Sequence, residues 1–111
     1  MYLLVQGRLG EAERLCRSAI DRAVSKGHGD FPAAGSLYVT MARISLERNR
    51  LDEAEAYLNT GLRIARPGGF GEAERTGRYL LAHLAAARGD LGAATGILHE
   101  TARIVNAIDD P

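Results

Sequence analysis

Apolar residues in this chain fall three and four places apart, and the same run of them is written three times. Leu9, Leu51 and Leu91 open the runs, 42 and 40 residues apart. Three places on stand Ala12, Ala54 and Ala94; six on, Leu15, Tyr57 and Ile97; seven on, Cys16, Leu58 and Leu98. Ala19, Gly61 and Thr101 follow at ten, Ile20, Leu62 and Ala102 at eleven, and Ala23, Ala65 and Val105 at fourteen. Those offsets trace one face of an α-helix. The shared stripe predicts that each run buries the same face.

Two places before each leucine stands Gly7, Asn49 or Gly89. Glycine and asparagine best adopt the left-handed conformation that closes a helix. A helix is therefore expected to end at each of these points and another to begin just after. Upstream of the second and third runs, "SLYVTMARISLER" and "TGRYLLAHLAAAR" are again apolar at helical spacing, with Met41, Ala42, Ile44 and Ser45 aligning with Leu81, Ala82, Leu84 and Ala85. The unit is a hairpin: helix A, a tight turn, helix B. "KGHGDFP" and "RPGGFGE" concentrate glycine and proline between the units. Asp30, ahead of Phe31 and Pro32, is placed to cap the next helix.

The pattern predicts an all-α chain, an α-α superhelix of helix hairpins repeating about every forty residues. Its helices are expected at roughly 9–26, 31–48, 51–66, 72–88 and 91–107, with a stub at 2–6 matching the last turn of a helix A. A single array follows, divided into a partial repeat at 1–26 and repeats at 27–66 and 67–111. Repeat arrays need end units with a polar outer face, and neither end shows one. Ile97, Ile104, Val105 and Ile108 exceed what the last hairpin can cover by itself. The expectation is a fragment of a longer solenoid whose open ends self-associate.

Composition narrows the class further. Aromatics make up 5% of the chain and tryptophan is absent, so aliphatic residues and alanine must build the core, which suits close-packed helices. Fourteen basic and fourteen acidic residues cancel, whereas nucleic-acid binding draws its affinity from a basic excess. No direct nucleic-acid contact is expected. One cysteine excludes an internal disulfide and suits a reducing cytoplasm. "MYLLVQG" lacks the cationic start of a signal peptide, and no apolar stretch approaches the roughly 20 residues of a membrane span.

The hairpin resembles the tetratricopeptide repeat. Its residues include a large-small pair on helix A (Met41-Ala42, Leu81-Ala82), the turn and following alanine (Gly7/Leu9/Ala12, Asn49/Leu51/Ala54, Gly89/Leu91/Ala94), and the small residue at Ala19, Gly61 and Thr101. Departures are visible too. The early helix-A aromatic is met by Tyr38 but replaced by Arg78, and the helix-B proline comes one place late at Pro67. The longer period, the arginine-rich helices and wording such as "LAARGDL" resemble more closely the helical sensor region of MalT-type regulators. Those are large ATP-dependent bacterial transcription factors of the LuxR class. The resemblance implies an array lying between a nucleotide-binding module and a helix-turn-helix.

Candidate chemistry is sparse. Cys16 occupies the register of Leu58 and Leu98, which makes it a small core residue. His28, His83 and His99 share no metal-ligand spacing, so neither a metal nor a cofactor is expected. "PGGFG" lacks the Lys-Ser/Thr of a phosphate loop. The carboxylates Glu11, Glu13, Asp52, Glu53, Glu55, Glu72 and Glu74 crowd the first turns of helices, where the helix dipole alone favours acids. No nucleophile, base and oxyanion donor come together, so an enzyme is not expected.

The resemblance also implies a concave groove lined by helix-A positions outside the packing stripe. These are Ser36, Val39, Arg43, Leu46 and Glu47, then Thr76, Tyr79, His83, Ala86 and Ala87. Arg43 and His83 hold equivalent positions in successive repeats and, with Tyr79, could hold an anionic group, a peptide carboxylate or a sugar hydroxyl. The implied function is a non-catalytic binding and scaffold module that takes a protein, a peptide or a small inducer. A stand-alone tetratricopeptide adaptor with no link to transcription is the alternative.

Overall fold

A computed structural model describes residues 2–65 and 71–109. They form five α-helices: α1 (Tyr2–Ser25), α2 (Pro32–Glu47), α3 (Leu51–Ala65), α4 (Glu72–Ala87) and α5 (Leu91–Asp109). The described residues contain no strand. The glycine linker from Arg66 to Phe70 and the proposed stop at Pro67 lie outside them, as does the side chain of Ile108.

The two tight turns are copies of each other. Asn49 takes φ of 57° and Gly89 of 84°. Arg50 N–H donates to the Ser45 carbonyl and Asn49 N–H to that of Leu46; Asp90 and Gly89 do the same to Ala85 and Ala86. Each is a Schellman closure, in which a left-handed residue lets the last carbonyls of the helix find donors. Gly27, at φ 76°, ends α1 in the same way, with His28 N–H donating to Ala23.

Gly7 departs from this scheme. It shares the register of Asn49 and Gly89, yet it lies inside α1, a helix of 24 residues. Starting a separate helix there would incur the nucleation cost again, whereas continuing the existing one adds a hydrogen bond per residue. The stub and first helix are therefore a single element. Asp30 is likewise not a cap: Phe31 precedes Pro32 as the capping residue, without a side-chain bond, and Asp30 instead faces Arg63 at 3.8 Å.

Successive helices pack on one another, and α2 also meets α4, so the two A helices stand side by side. The core lies around α3: Val39, Ala42, Leu58, Leu80 and Leu84 are buried together, with Leu46, Leu51, Tyr57 and Leu81 partly buried against them. A radius of gyration of 14.8 Å exceeds the roughly 13 Å of a compact chain this long, as an open array should.

Small residues let the hairpins close. A β-carbon on Gly61 would sit 3.2 Å from the Gly35 carbonyl oxygen and 3.1 Å from Val39 Cγ2. The backbones of α2 and α3 cross there with no room for a side chain. Thr101, in the same register, is fully buried and donates its hydroxyl to the Ile97 carbonyl at 2.7 Å.

The threefold stripe is not buried alike in its three copies. Leu58 is 0% exposed, but Leu98 is 42% and Leu91 68% exposed, and Leu15 is exposed as well. Among the described residues α3 packs against A helices on both sides, α2 and α4, whereas the main contact of α5 is with α4. Sequence register predicts a helix face, and burial of that face needs two neighbours.

Candidate functional site

The A helices α2 and α4 enclose a groove made of two hollows. One, of about 260 Å³, is lined by Ser36, Val39, Thr40, Arg43, Glu72 and Thr76. The other, of about 200 Å³, takes Arg43 again with Leu46, Glu47, Leu80, His83 and Ala87. Eight of the ten residues expected to line the groove thus stand together: Ser36, Val39, Arg43, Leu46, Glu47, Thr76, His83 and Ala87, while Ala86 lines neither hollow. Tyr79 does not line either hollow, although it is 45% exposed. At 100° per residue it is turned about 60° from Thr76 around α4.

Val39 needs a second correction. It was expected outside the packing stripe, but it is 4% exposed and belongs to the core. Its Cγ2 lies 3.1 Å from a β-carbon built on Gly61 and 3.6 Å from one on Gly77. It forms the groove floor while filling the space those glycines leave. Thr40 and Glu72 complete the first hollow. Helical spacing could have found Thr40, four places after Ser36; Glu72 was taken only for a first-turn acid.

Arg43 is exposed and makes no ion pair with a described residue. Thr40 donates its hydroxyl to the Ser36 carbonyl at 2.9 Å. The groove thus offers an exposed guanidinium, two carboxylates, an imidazole and hydroxyls over an apolar floor of Val39, Leu46 and Leu80. That is chemistry for binding mixed polar and apolar groups, and it contains no assembled nucleophile and base.

Ion pairs repeated from unit to unit brace the helices beside this groove. Arg48, at the end of α2, reaches Glu13 on α1 at 2.7 Å. Arg88, at the end of α4, reaches Asp52 at 2.7 Å and also pairs with Glu55, both on α3. Arg48 and Arg88 are equivalent positions, as are Glu13 and Glu55. Hydrogen bonding to Glu55 foremost, joined by the charges of Glu55 and Asp52, holds the Arg88 guanidinium above the usual arginine range despite some desolvation. These acids therefore do more than answer a helix dipole. The signal was legible, since the arginine three places before Leu51 and before Leu91 answers a glutamate four places after the previous repeat leucine. In α5 the glutamate position is Thr95, whose hydroxyl donates to the Leu91 carbonyl at 2.8 Å.

Elsewhere, Glu74 is buried and lies 3.6 Å from Arg78. It was read as a first-turn acid favoured by the helix dipole; in α4 it partners the arginine that stands where α2 has Tyr38. Cys16 is half-buried, and that burial pushes its thiol pKa up, away from the reactive thiolate. No group of three or more metal-ligating side chains occurs among the described residues. No helix among them is long and apolar enough to cross a membrane.

A hairpin array with copied turns, copied close approaches and a groove between A helices can be set beside known proteins. The family model described as the MalT-like TPR region matches residues 1–108. This chain belongs to that family. Neither a curated protein nor a solved structure matches it. The MalT-like TPR chain is thus an all-α helical-repeat region of a family whose repeats serve interaction and scaffolding.

Proposed function

We propose that this MalT-like TPR chain is a non-catalytic binding and scaffold module, the sensor stretch of an ATP-dependent regulator of the LuxR class. A protein segment, a peptide or a small inducer lies in the α2–α4 groove. The nucleotide-binding module and the DNA-reading helix-turn-helix lie outside these residues, and the whole works in the cytoplasm. Family membership and the neutral charge support this reading.

The observation that carries it is Arg43, shared by both hollows and without an ion pair among the described residues. A ligand spanning the hollows touches α2 and α4, which belong to successive units, so it favours one angle between them. That differential affinity is what lets a ligand bias an array. A peptide array tests the groove. Peptides retained by the wild-type chain are expected to bind Arg43→Ala about tenfold more weakly, the loss of one charge-assisted hydrogen bond. Peptides that bind both proteins equally would contradict the assignment.

A further inference from the structure

A hollow of about 700 Å³ lies away from the groove, along α1 and against the end of α2. Four guanidiniums (Arg14, Arg17, Arg22 and Arg48) and two carboxylates (Glu13 and Asp21) line it. In a chain of zero net charge this is a local positive surplus. Of the carboxylates, Glu13 is already engaged by Arg17 at 2.9 Å and by Arg48 at 2.7 Å. Arg14 and Arg22 make no ion pair with a described residue.

The second unit shows what such an arginine holds when its partners are complete. Arg88 places Nη1 on Glu55 and Nη2 on Asp52. Arg48 places Nη1 on Glu13, the counterpart of Glu55. The counterpart of Asp52 is Gly10, which has no side chain to offer. A β-carbon at Gly10 would lie 3.5 Å from Arg48 Nη2 and 3.7 Å from Arg14 Nη1. Two guanidiniums thus converge where the next unit carries a carboxylate. Arg14 is itself an addition, since the second unit has Ala56 there.

We propose that this point binds a phosphate group of a small organic phosphate, in the place that Asp52 fills one unit later. The bond to Glu13 fixes Arg48 in advance, so little ordering is needed on binding. A carboxylate would satisfy Arg48 alone, as Asp52 satisfies Arg88. The second arginine matches a dianion whose oxygens point in several directions, one toward each guanidinium.

Inorganic phosphate is the probe, with chloride at equal ionic strength as the reference. Thermal melts of the full chain over a phosphate series give the affinity, because a ligand that binds only the folded state raises its melting temperature. Phosphate is expected to raise the melting temperature above the chloride reference. Arg14→Gln should weaken that response about tenfold. Gly10→Asp supplies the missing carboxylate internally and should abolish it. The β-carbon at Gly10 makes only ordinary contacts and the residue is helical, so this variant should fold. Arg103→Gln, on α5, should respond like the wild type. Identical melts in phosphate and chloride would overturn the proposal, and so would a phosphate response that Gly10→Asp leaves intact.

Discussion

Truncating Leu58 to alanine is expected to destabilise this chain by about 2–5 kcal/mol. Leu58 is 0% exposed and packs with Val39, Ala42, Leu80 and Leu84 from the helices on either side of α3. Removing its branched end leaves a cavity between two units, and neither unit can collapse into it without opening the other. Against a total stability on the order of 5–15 kcal/mol for a small domain, the loss is large. Urea unfolding measures it as a lower midpoint with an unchanged slope. Leu98→Ala is the informative companion. It alters the same register position in the third run, but at 42% exposure the change should be well under half as large. Equal losses at the two leucines would contradict the placement of the core around α3.

Gly61→Val should have the second-largest effect, about 1–3 kcal/mol, as overpacking commonly does. The β-carbon alone would stand 3.2 Å from the Gly35 carbonyl oxygen, 3.2 Å from Tyr38 Cβ and 3.1 Å from Val39 Cγ2. The first of these is backbone, so α2 must move as a body. Valine's better helix propensity returns only a few tenths of a kcal/mol. Because Val39 also floors the groove, the same variant should weaken groove binding, although Gly61 does not line it. Gly96→Ala is the contrast. Nothing stands within 4 Å of a β-carbon there, so the propensity gain is unopposed and thermal melts should show stabilisation of up to about 1 kcal/mol.

These pairs show what the sequence could and could not reveal. Helix positions, the turns at Asn49 and Gly89 and the close approach at Gly61 are local properties, written in spacing and residue type. Burial depends on neighbours, which is why Leu58 and Leu98 look alike in sequence and differ in the structure. Gly7 carries the same residue-type signal as Gly89, yet it continues a helix. In the groove, aligning the repeats put Arg43 and His83 at equivalent positions, and the family resemblance implied that both line it. That alignment could not separate Val39, which is buried in the core beneath the groove, from its exposed neighbours. Nor could it tell that Tyr79 falls just outside. The Arg48–Glu13 and Arg88–Glu55 pairs link residues 35 and 33 places apart, and they become visible only when the repeats are aligned by unit.

The function proposed for this chain rests on its being the sensor stretch of a larger regulator, and the native reading frame tests that most directly. Sequencing the gene on both sides of residues 1–111 is predicted to show a phosphate-loop nucleotide-binding module upstream and a helix-turn-helix downstream. A frame with neither would contradict the account and leave a stand-alone adaptor, with Arg43 and His83 still its groove.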